Sequence, residues 1–136
     1  MDPTRAKFLA DMIRQNRKQV ARCFGQDESV LVSWFRSLTT LRNNCAHHSR
    51  VWNARMEVNK PKTAKRIKEE FAIQDSVYAR IVVLYELLYV VEQDTHWATR
   101  LKNLFDEHPK VPLGPMGFPD DWRRRAFWNR PTSRAA

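Results

Sequence analysis

The sequence predicts an all-α fold, a helical bundle of four main helices followed by an irregular C-terminal tail that contains proline and glycine. Two observations lead to this prediction. Apolar residues recur every three or four positions along most of roughly the first hundred residues, which is the period of an α-helix. Only 3 glycines occur in 136 residues, which argues against glycine-rich phosphate loops and turn-dense β-sandwiches. A chain of this length fits one ordinary domain.

The first two helices are predicted from apolar spacing and from boundary residues. Residues 8–24 place apolar side chains on one helical face, and Gly25 follows as a stop signal. The second helix opens near Asp27, a preferred N-cap residue, and its apolar positions are Leu31, Trp34, Phe35, Leu38, Leu41 and Cys45. Residues 53–63 contain Pro61 and three basic residues, so we expect a loop there.

Two further helices are predicted in the second half of the chain. The third helical region starts near Lys65 and either continues or restarts at Asp75, ending near Val91. Its second half, IVVLYELLYVV, is apolar nearly all round and is expected at the centre of the bundle. Its β-branched residues leave a strand as the alternative, although its length and lack of breakers favour a helix. The fourth helix has Thr95 near its cap and Trp97 on its apolar face.

Proline and glycine mark a change of character near residue 108. Residues 1–108 are therefore assigned to the helical bundle, and residues 109–136 to a C-terminal tail that packs on it. The tail is expected to be loop-like and to end in a short helical segment, DDWRRRAFW.

The chain is strongly basic, and its positive charge is concentrated in two segments. Lys and Arg number 24 against 15 Asp and Glu, which gives a net charge of +9. Residues 42–70 carry eight basic and three acidic side chains, and residues 110–136 carry six and two. A small domain this basic attracts polyanions, nucleic acid first and anionic membranes second. For any single residue, a merely solvated surface charge is an equally good interpretation.

The remaining composition indicates a cytoplasmic protein. Cys23 and Cys45 are too few for a disulfide framework and lack the spacing of a metal site. The N-terminus carries acidic residues and no apolar h-region, so it is unlike a signal peptide. The longest apolar stretch, residues 79–91, is interrupted by charges and is too short to span a bilayer.

The segment LRNNCAHHSRVWN, residues 41–53, is expected to carry the chemistry. On a helix with about 100° per residue, a buried stripe contains Leu38, Leu41, Cys45, His48 and Trp52. Cys45, His48 and Trp52 are therefore interpreted as structural residues near the site. Asn43 and His47 share another face, whereas Arg42 lies about 140° from His47. Arg42 and His47 can converge if the helix ends near Ala46, or if two copies of the segment meet across a dimer axis.

Arginine, asparagine and histidine together are sufficient to cleave RNA without a metal or another cofactor. Arginine grips phosphate through two donors, and histidine can give or take a proton near neutrality. Asparagine can hold a histidine tautomer or a substrate oxygen. A metal site is disfavoured because carboxylates are sparse around His47, and because the adjacent His47 and His48 point to different faces. The alternative is a helix surface that carries Arg42 and His47 by chance.

Two strings in the chain resemble a known family. RNNCAH resembles the R-x4-6-H motif of the HEPN superfamily, and LRNNCAHHSRVWN more specifically resembles the Abi-like (AbiD/AbiF) proteins of bacterial abortive infection. The ending MGFPDDWRRRAFW, residues 116–128, is similar to the ending of that group. The resemblance spans residues 20–128. It implies an all-α, HEPN-like domain, usually dimeric, in which paired motifs form one metal-independent ribonuclease site.

The resemblance also implies a role for each residue of the motif. Arg42 would stabilise the pentavalent phosphorane, His47 would act as acid or base, and Asn43 would orient His47. Family members usually carry a long N-terminal half, whereas Met1 here lies only some 30–40 residues before the motif. The chain is therefore interpreted as a minimal form or as a fragment.

The function predicted from these observations is a metal-independent endoribonuclease, a toxin of phage defence with a composite R-x4-H site in a homodimer. The alternative is a non-catalytic HEPN-fold module that binds RNA or a partner protein. The expected partners are RNA, a second copy of the chain and an RNA or protein antitoxin, but no membrane. Cationic side chains near the motif and in the tail are the candidates for RNA binding: Arg50, Lys60, Lys62, Lys65, Arg66, Arg123 and Arg124.

Overall fold

The computed structural model of the chain describes residues 3–4, 16–47, 51–52, 54–92 and 96–131. Within these ranges it contains helices and turns but no β-strand, so the all-α prediction is confirmed. Its α-helices are α1 (Arg17–Cys23), α2 (Glu28–Ala46), α3 (Val77–Glu92) and α4 (Trp97–Glu107). Its 3₁₀ helices are η1 (Lys65–Phe71), η2 (Gly114–Met116), η3 (Trp122–Arg124) and η4 (Ala126–Asn129).

The predicted boundary between the first two helices is confirmed. Gly25 adopts a left-handed φ of 64° after α1, and the N–H of Gln26 bonds to the carbonyl of Ala21 at 2.9 Å. This is the Schellman arrangement, which favours glycine because other residues are strained at positive φ. The Asp27 side chain then accepts from the N–H of Ser29 at 3.2 Å, which caps the start of α2.

The third helical region restarts rather than continues. η1 carries a non-helical residue, Ile67, and α3 begins at Val77 after a break. Ser76 caps α3, since its Oγ accepts from the N–H of Ala79 at 3.1 Å. Thr95, the predicted cap of the fourth helix, lies outside the described residues, and α4 is preceded by His96.

The apolar segment of α3 forms the centre of the fold, as predicted. Ala79, Val82 and Val83 are fully buried, and α3 packs along α2, whose Trp34 is fully buried as well. No helix in the described part of the chain is long and apolar enough to cross a membrane.

Aromatic side chains join the C-terminal tail to α3. Trp128 stacks on Tyr85 with ring centroids 4.9 Å apart, and Phe118 meets the ring of Tyr78 edge-on at 4.6 Å. The short helix expected over DDWRRRAFW is present as the two 3₁₀ turns η3 and η4. They are separated because Arg125 between them has extended backbone angles.

A buried arginine fixes the loop that follows the motif. Arg80 of α3 is fully buried and donates to the carbonyl of Ser37 in α2 at 3.1 Å. It also donates to three loop carbonyls, those of Met56, Val58 and Asn59, at 2.9–3.3 Å. Burial lowers the pKa of this guanidinium from its ordinary value. The loop is therefore tied to both central helices through one side chain.

Candidate functional site

The motif residues lie at the C-terminal end of α2. The helix ends at Ala46, and His47 is its C-cap residue, with its N–H bonded to the carbonyl of Asn43 at 3.0 Å. This is one of the two conditions under which the sequence allowed Arg42 and His47 to converge. Because the N–H of His47 still pairs four residues back, its position follows the helix and the separation of about 140° from Arg42 persists.

Asn43 contacts Arg42 through its side chain. Arg42 Nη1 donates to Asn43 Oδ1 at 3.2 Å, which draws the guanidinium toward the helix face that carries Asn43 and His47. Arg42 and His47 are exposed, and Asn43 is partly buried. The resemblance implied that Asn43 orients His47, whereas the hydrogen bond formed by its side chain positions Arg42.

The predicted buried stripe is only partly present. Cys45 is exposed, so the expectation that it is a buried apolar residue is wrong for the single chain. The reason is that α2 is completely buried at Trp34 and Ser37 but loses cover toward its C-terminal end. Trp52 is partly buried, and its Nε1 donates to the carbonyl of Pro112 at 3.2 Å. His48 lies outside the described residues.

Some of the cationic residues that follow the motif are held by contacts within the chain, and others are exposed. Lys60 pairs with Glu57 at 3.2 Å, and Arg66 Nη2 donates to the carbonyl of Gly25 at 2.9 Å. Lys62 and Lys65 are exposed. Arg50, the remaining candidate in this region, lies outside the described residues.

The arginines of the tail differ in the same way. Arg123 pairs with Asp106 at 2.8 Å, whereas Arg124 is exposed and forms no ion pair within the described ranges. Arg125 bonds to both carboxylate oxygens of the buried Glu70 at 3.2 Å. Arg124 is therefore the residue of this run that is best placed to meet a phosphate.

Sequence reasoning did not select Arg36, which lines a groove beside α2 together with Ser33 and Lys62. The signal was a polar stripe at intervals of four and three residues: Ser29, Ser33, Arg36, Thr40, Asn43 and His47. The cationic candidates were taken from the two segments in which positive charge is concentrated, and Arg36 lies outside them as the only charged residue in 31–41.

No group of three or more His, Cys, Asp or Glu side chains in the described part of the chain is arranged to hold a metal ion.

The fold and these residues define an all-α protein with an Arg-Asn-His set at a helix end, in which the arginine and the histidine are exposed. Residues 4–53 match the family model described as Abi-like protein. The matched region includes the motif from Arg42 to Trp52 and the chain before it. No curated protein and no solved structure matches the chain.

Proposed function

We propose that the chain is a metal-independent endoribonuclease of abortive-infection phage defence, with a HEPN-type fold and a site shared between two protomers. The observation that carries the proposal is the set of Arg42, Asn43 and His47 at the end of α2, with Arg42 and His47 exposed, in a chain whose N-terminal region matches an Abi-like family model. The Arg42–Asn43 hydrogen bond supports it, since it turns a permanent cation toward the histidine face.

The chemistry uses the nucleophile that RNA itself supplies. A general base removes the proton of a 2′-hydroxyl, whose oxygen forms a bond to the adjacent phosphorus. The bond from phosphorus to the 5′-oxygen breaks, and a general acid protonates that oxygen. The products are a 2′,3′-cyclic phosphate and a 5′-hydroxyl end. Arg42 stabilises the extra negative charge of the phosphorane between these steps.

Two protomers would supply the base and the acid separately. One chain offers one His47 at the end of α2, about 140° around the helix from Arg42, whereas two α2 ends that meet across an axis bring two Arg42–His47 sets to one cleft. The exposed Cys45 and Ala46 favour this arrangement, because small side chains allow the two helix ends to approach closely. The proposed dimer therefore covers the part of α2 that is exposed in the single chain.

Cleavage of a labelled RNA by the purified chain tests the proposal. We expect cleavage in excess EDTA and a 2′,3′-cyclic phosphate or its opened product. Arg42→Ala and His47→Ala should each abolish cleavage, while Arg100→Ala, an exposed arginine on α4, should leave it unchanged. A requirement for added magnesium, or a 3′-hydroxyl product, would contradict the mechanism. Binding of RNA by the unaltered chain without cleavage would favour a non-catalytic RNA-binding module.

A further inference from the structure

A groove of about 580 Å³ lies beside the N-terminal half of α2, on the side of the loop that contains residues 59–62. Its volume is within the range of sites that bind small molecules or single nucleotides. The groove is lined by polar and charged side chains from the start of α1, from Asp27, from α2 and from that loop, with Val32 as an apolar member. It is distinct from the Arg42–Asn43–His47 cluster, none of whose residues line it.

The groove and the motif share one face of α2. Ser33 and Arg36 line the groove, and Thr40, Asn43 and His47 follow at intervals of four, three and four residues. With about 100° per residue, these five positions lie within roughly 80° of one another around the helix. Arg36 precedes His47 by eleven residues, which is roughly 16 Å along the helix axis at about 1.5 Å per residue. A polar track therefore connects the groove to the proposed site over the length of several nucleotides.

The wall of the groove opposite α2 is held in place by hydrogen bonds. The N–H of Lys62 donates to Ser33 Oγ at 2.9 Å, and its carbonyl accepts from Trp34 Nε1 at 2.9 Å. Asn59 Nδ2 donates to Thr40 Oγ1 at 3.1 Å. The backbone of Lys62 is thus fixed at both its polar groups, and little ordering would be required when a ligand binds.

The charges that line the groove are mostly basic, with four cationic and two acidic side chains. Glu28 pairs with Arg17 at 2.9 Å. Asp27 accepts from the N–H and hydroxyl of Ser29 and keeps its negative charge, which the nearby Lys62 helps to stabilise. Within the described ranges, the side chains of Arg36 and Lys62 form no ion pair, and both are exposed. An anionic ligand would therefore meet an excess of positive charge, in which Arg36 and Lys62 are the exposed donors.

We propose that this groove binds backbone phosphates of the RNA strand whose cleavage the proposed function assigns to the motif. Arg36 and Lys62 contact the phosphates, and the strand follows the face of α2 through Thr40 and Asn43 to His47. The groove is then a second contact point for the substrate, several nucleotides from the cleaved bond. This inference rests on the proposed function for the identity of the strand.

Equilibrium binding of labelled single-stranded RNA tests this inference in a His47→Ala background, which keeps the RNA intact. RNAs of about 4, 8 and 16 nucleotides cover the range of single-strand site sizes. The double variant Arg36→Gln/Lys62→Gln is compared with Arg22→Gln/Arg100→Gln, which removes the same charge from exposed positions on α1 and α4. Thermal unfolding and circular dichroism establish that each variant is folded.

Affinity for the unaltered groove should increase as the RNA is lengthened. We expect the groove variant to lose this increase, which amounts to about tenfold at low salt, and we expect the control variant to keep it. The slope of log affinity against log salt for the longest RNA should decrease in magnitude by about 0.7 for each phosphate contact removed. The inference would be overturned if the affinity of the groove variant still increased with RNA length as in the unaltered groove, or if the control variant lost as much affinity as the groove variant. The measurement is independent of cleavage, so an unaltered chain that binds in this way but cleaves nothing would refute the proposed function and leave the groove assignment standing.

Discussion

Trp52 Nε1 donates a hydrogen bond to the carbonyl oxygen of Pro112 at 3.2 Å, across 60 residues of sequence. The bond joins the string that contains the motif to the C-terminal tail. The tail is attached in turn to α3, where Trp128 Nε1 donates to Tyr78 Oη at 3.0 Å. The position of Trp52 therefore depends on a residue 60 positions downstream.

Removal of the indole N–H tests this connection between motif and tail. Trp52→Phe retains an aromatic ring but removes the donor to Pro112. We expect the free energy of unfolding in urea to fall by about 1 kcal/mol, the net contribution of one ordinary hydrogen bond. An unchanged free energy of unfolding would show that the bond contributes nothing to the attachment of the tail.

Gly117 provides a test of how closely the tail packs on the start of α3. Its φ of 93° is strained for any other residue, and an added Cβ would lie 2.6 Å from the Cβ of the buried Ser76. We expect Gly117→Ala to lower the free energy of unfolding by about 2 kcal/mol or more. Gly114→Ala is the matched control, because a Cβ there meets no atom within 4 Å. Equal effects of the two substitutions would contradict the close packing.

Tyr78 links three elements through its hydroxyl group. It donates to the buried carboxylate of Glu70, which is 6% exposed, and it accepts from Trp128 Nε1. Tyr78→Phe leaves both partners without this contact, and Arg125 alone then neutralises Glu70. We expect a loss of about 1–3 kcal/mol in the free energy of unfolding near neutral pH.

The same tyrosine predicts a dependence of stability on alkaline pH. Burial, and then the hydrogen bond to Glu70, raise the pKa of Tyr78 above its ordinary value of 10.0. The folded state thus favours the neutral phenol, and this contribution is complete below pH 10 and is lost as the pH rises through the folded-state pKa. The free energy of unfolding should decrease above pH 10, and less steeply in Tyr78→Phe. Parallel curves from urea titrations of the two proteins would contradict this assignment.

Arg80 is predicted to be the most sensitive charged position in the fold. Arg80→Met would restore apolar burial but leave the carbonyls of Met56, Val58 and Asn59 without this donor. Because several buried acceptors lose a charged donor at once, we expect a loss of about 3 kcal/mol or more. Arg100→Met on the exposed surface of α4 should change the free energy of unfolding by less than about 0.5 kcal/mol. A near-neutral Arg80→Met would show that removing the buried cation offsets the lost hydrogen bonds.

The features that the sequence predicted correctly are those determined by local chemistry. Gly25 and Asp27 mark a helix boundary because a left-handed residue and an N-cap act within a few positions of the chain. The features that it missed depend on distant contacts. Arg80 is buried because loop carbonyls more than twenty residues away in sequence converge on it.

The motif illustrates the same limit. The periodicity of α2 correctly placed Trp34 in the core, but it assigned Cys45 to the same stripe. Periodicity gives the direction of a side chain and not the point at which neighbouring elements stop covering the helix. The groove beside Arg36 was missed for a related reason, since its opposite wall is formed by Lys62, which is 26 positions away.

The exposure of Cys45 makes the proposed dimer directly testable. Cys45 lies on the last turn of α2, next to the proposed shared site, whereas Cys23 is exposed at the end of α1. Cys45 lies about 160° around α2 from His47. Two thiols on paired α2 ends are therefore separated by roughly two helix diameters, and a bifunctional thiol reagent of about 20 Å should join the protomers of Cys23→Ser. Cys45→Ser, which retains only Cys23, is the matched control and should yield little covalent dimer. Equal yields from the two variants, or a monomer by light scattering at tens of micromolar, would refute a site composed from two chains.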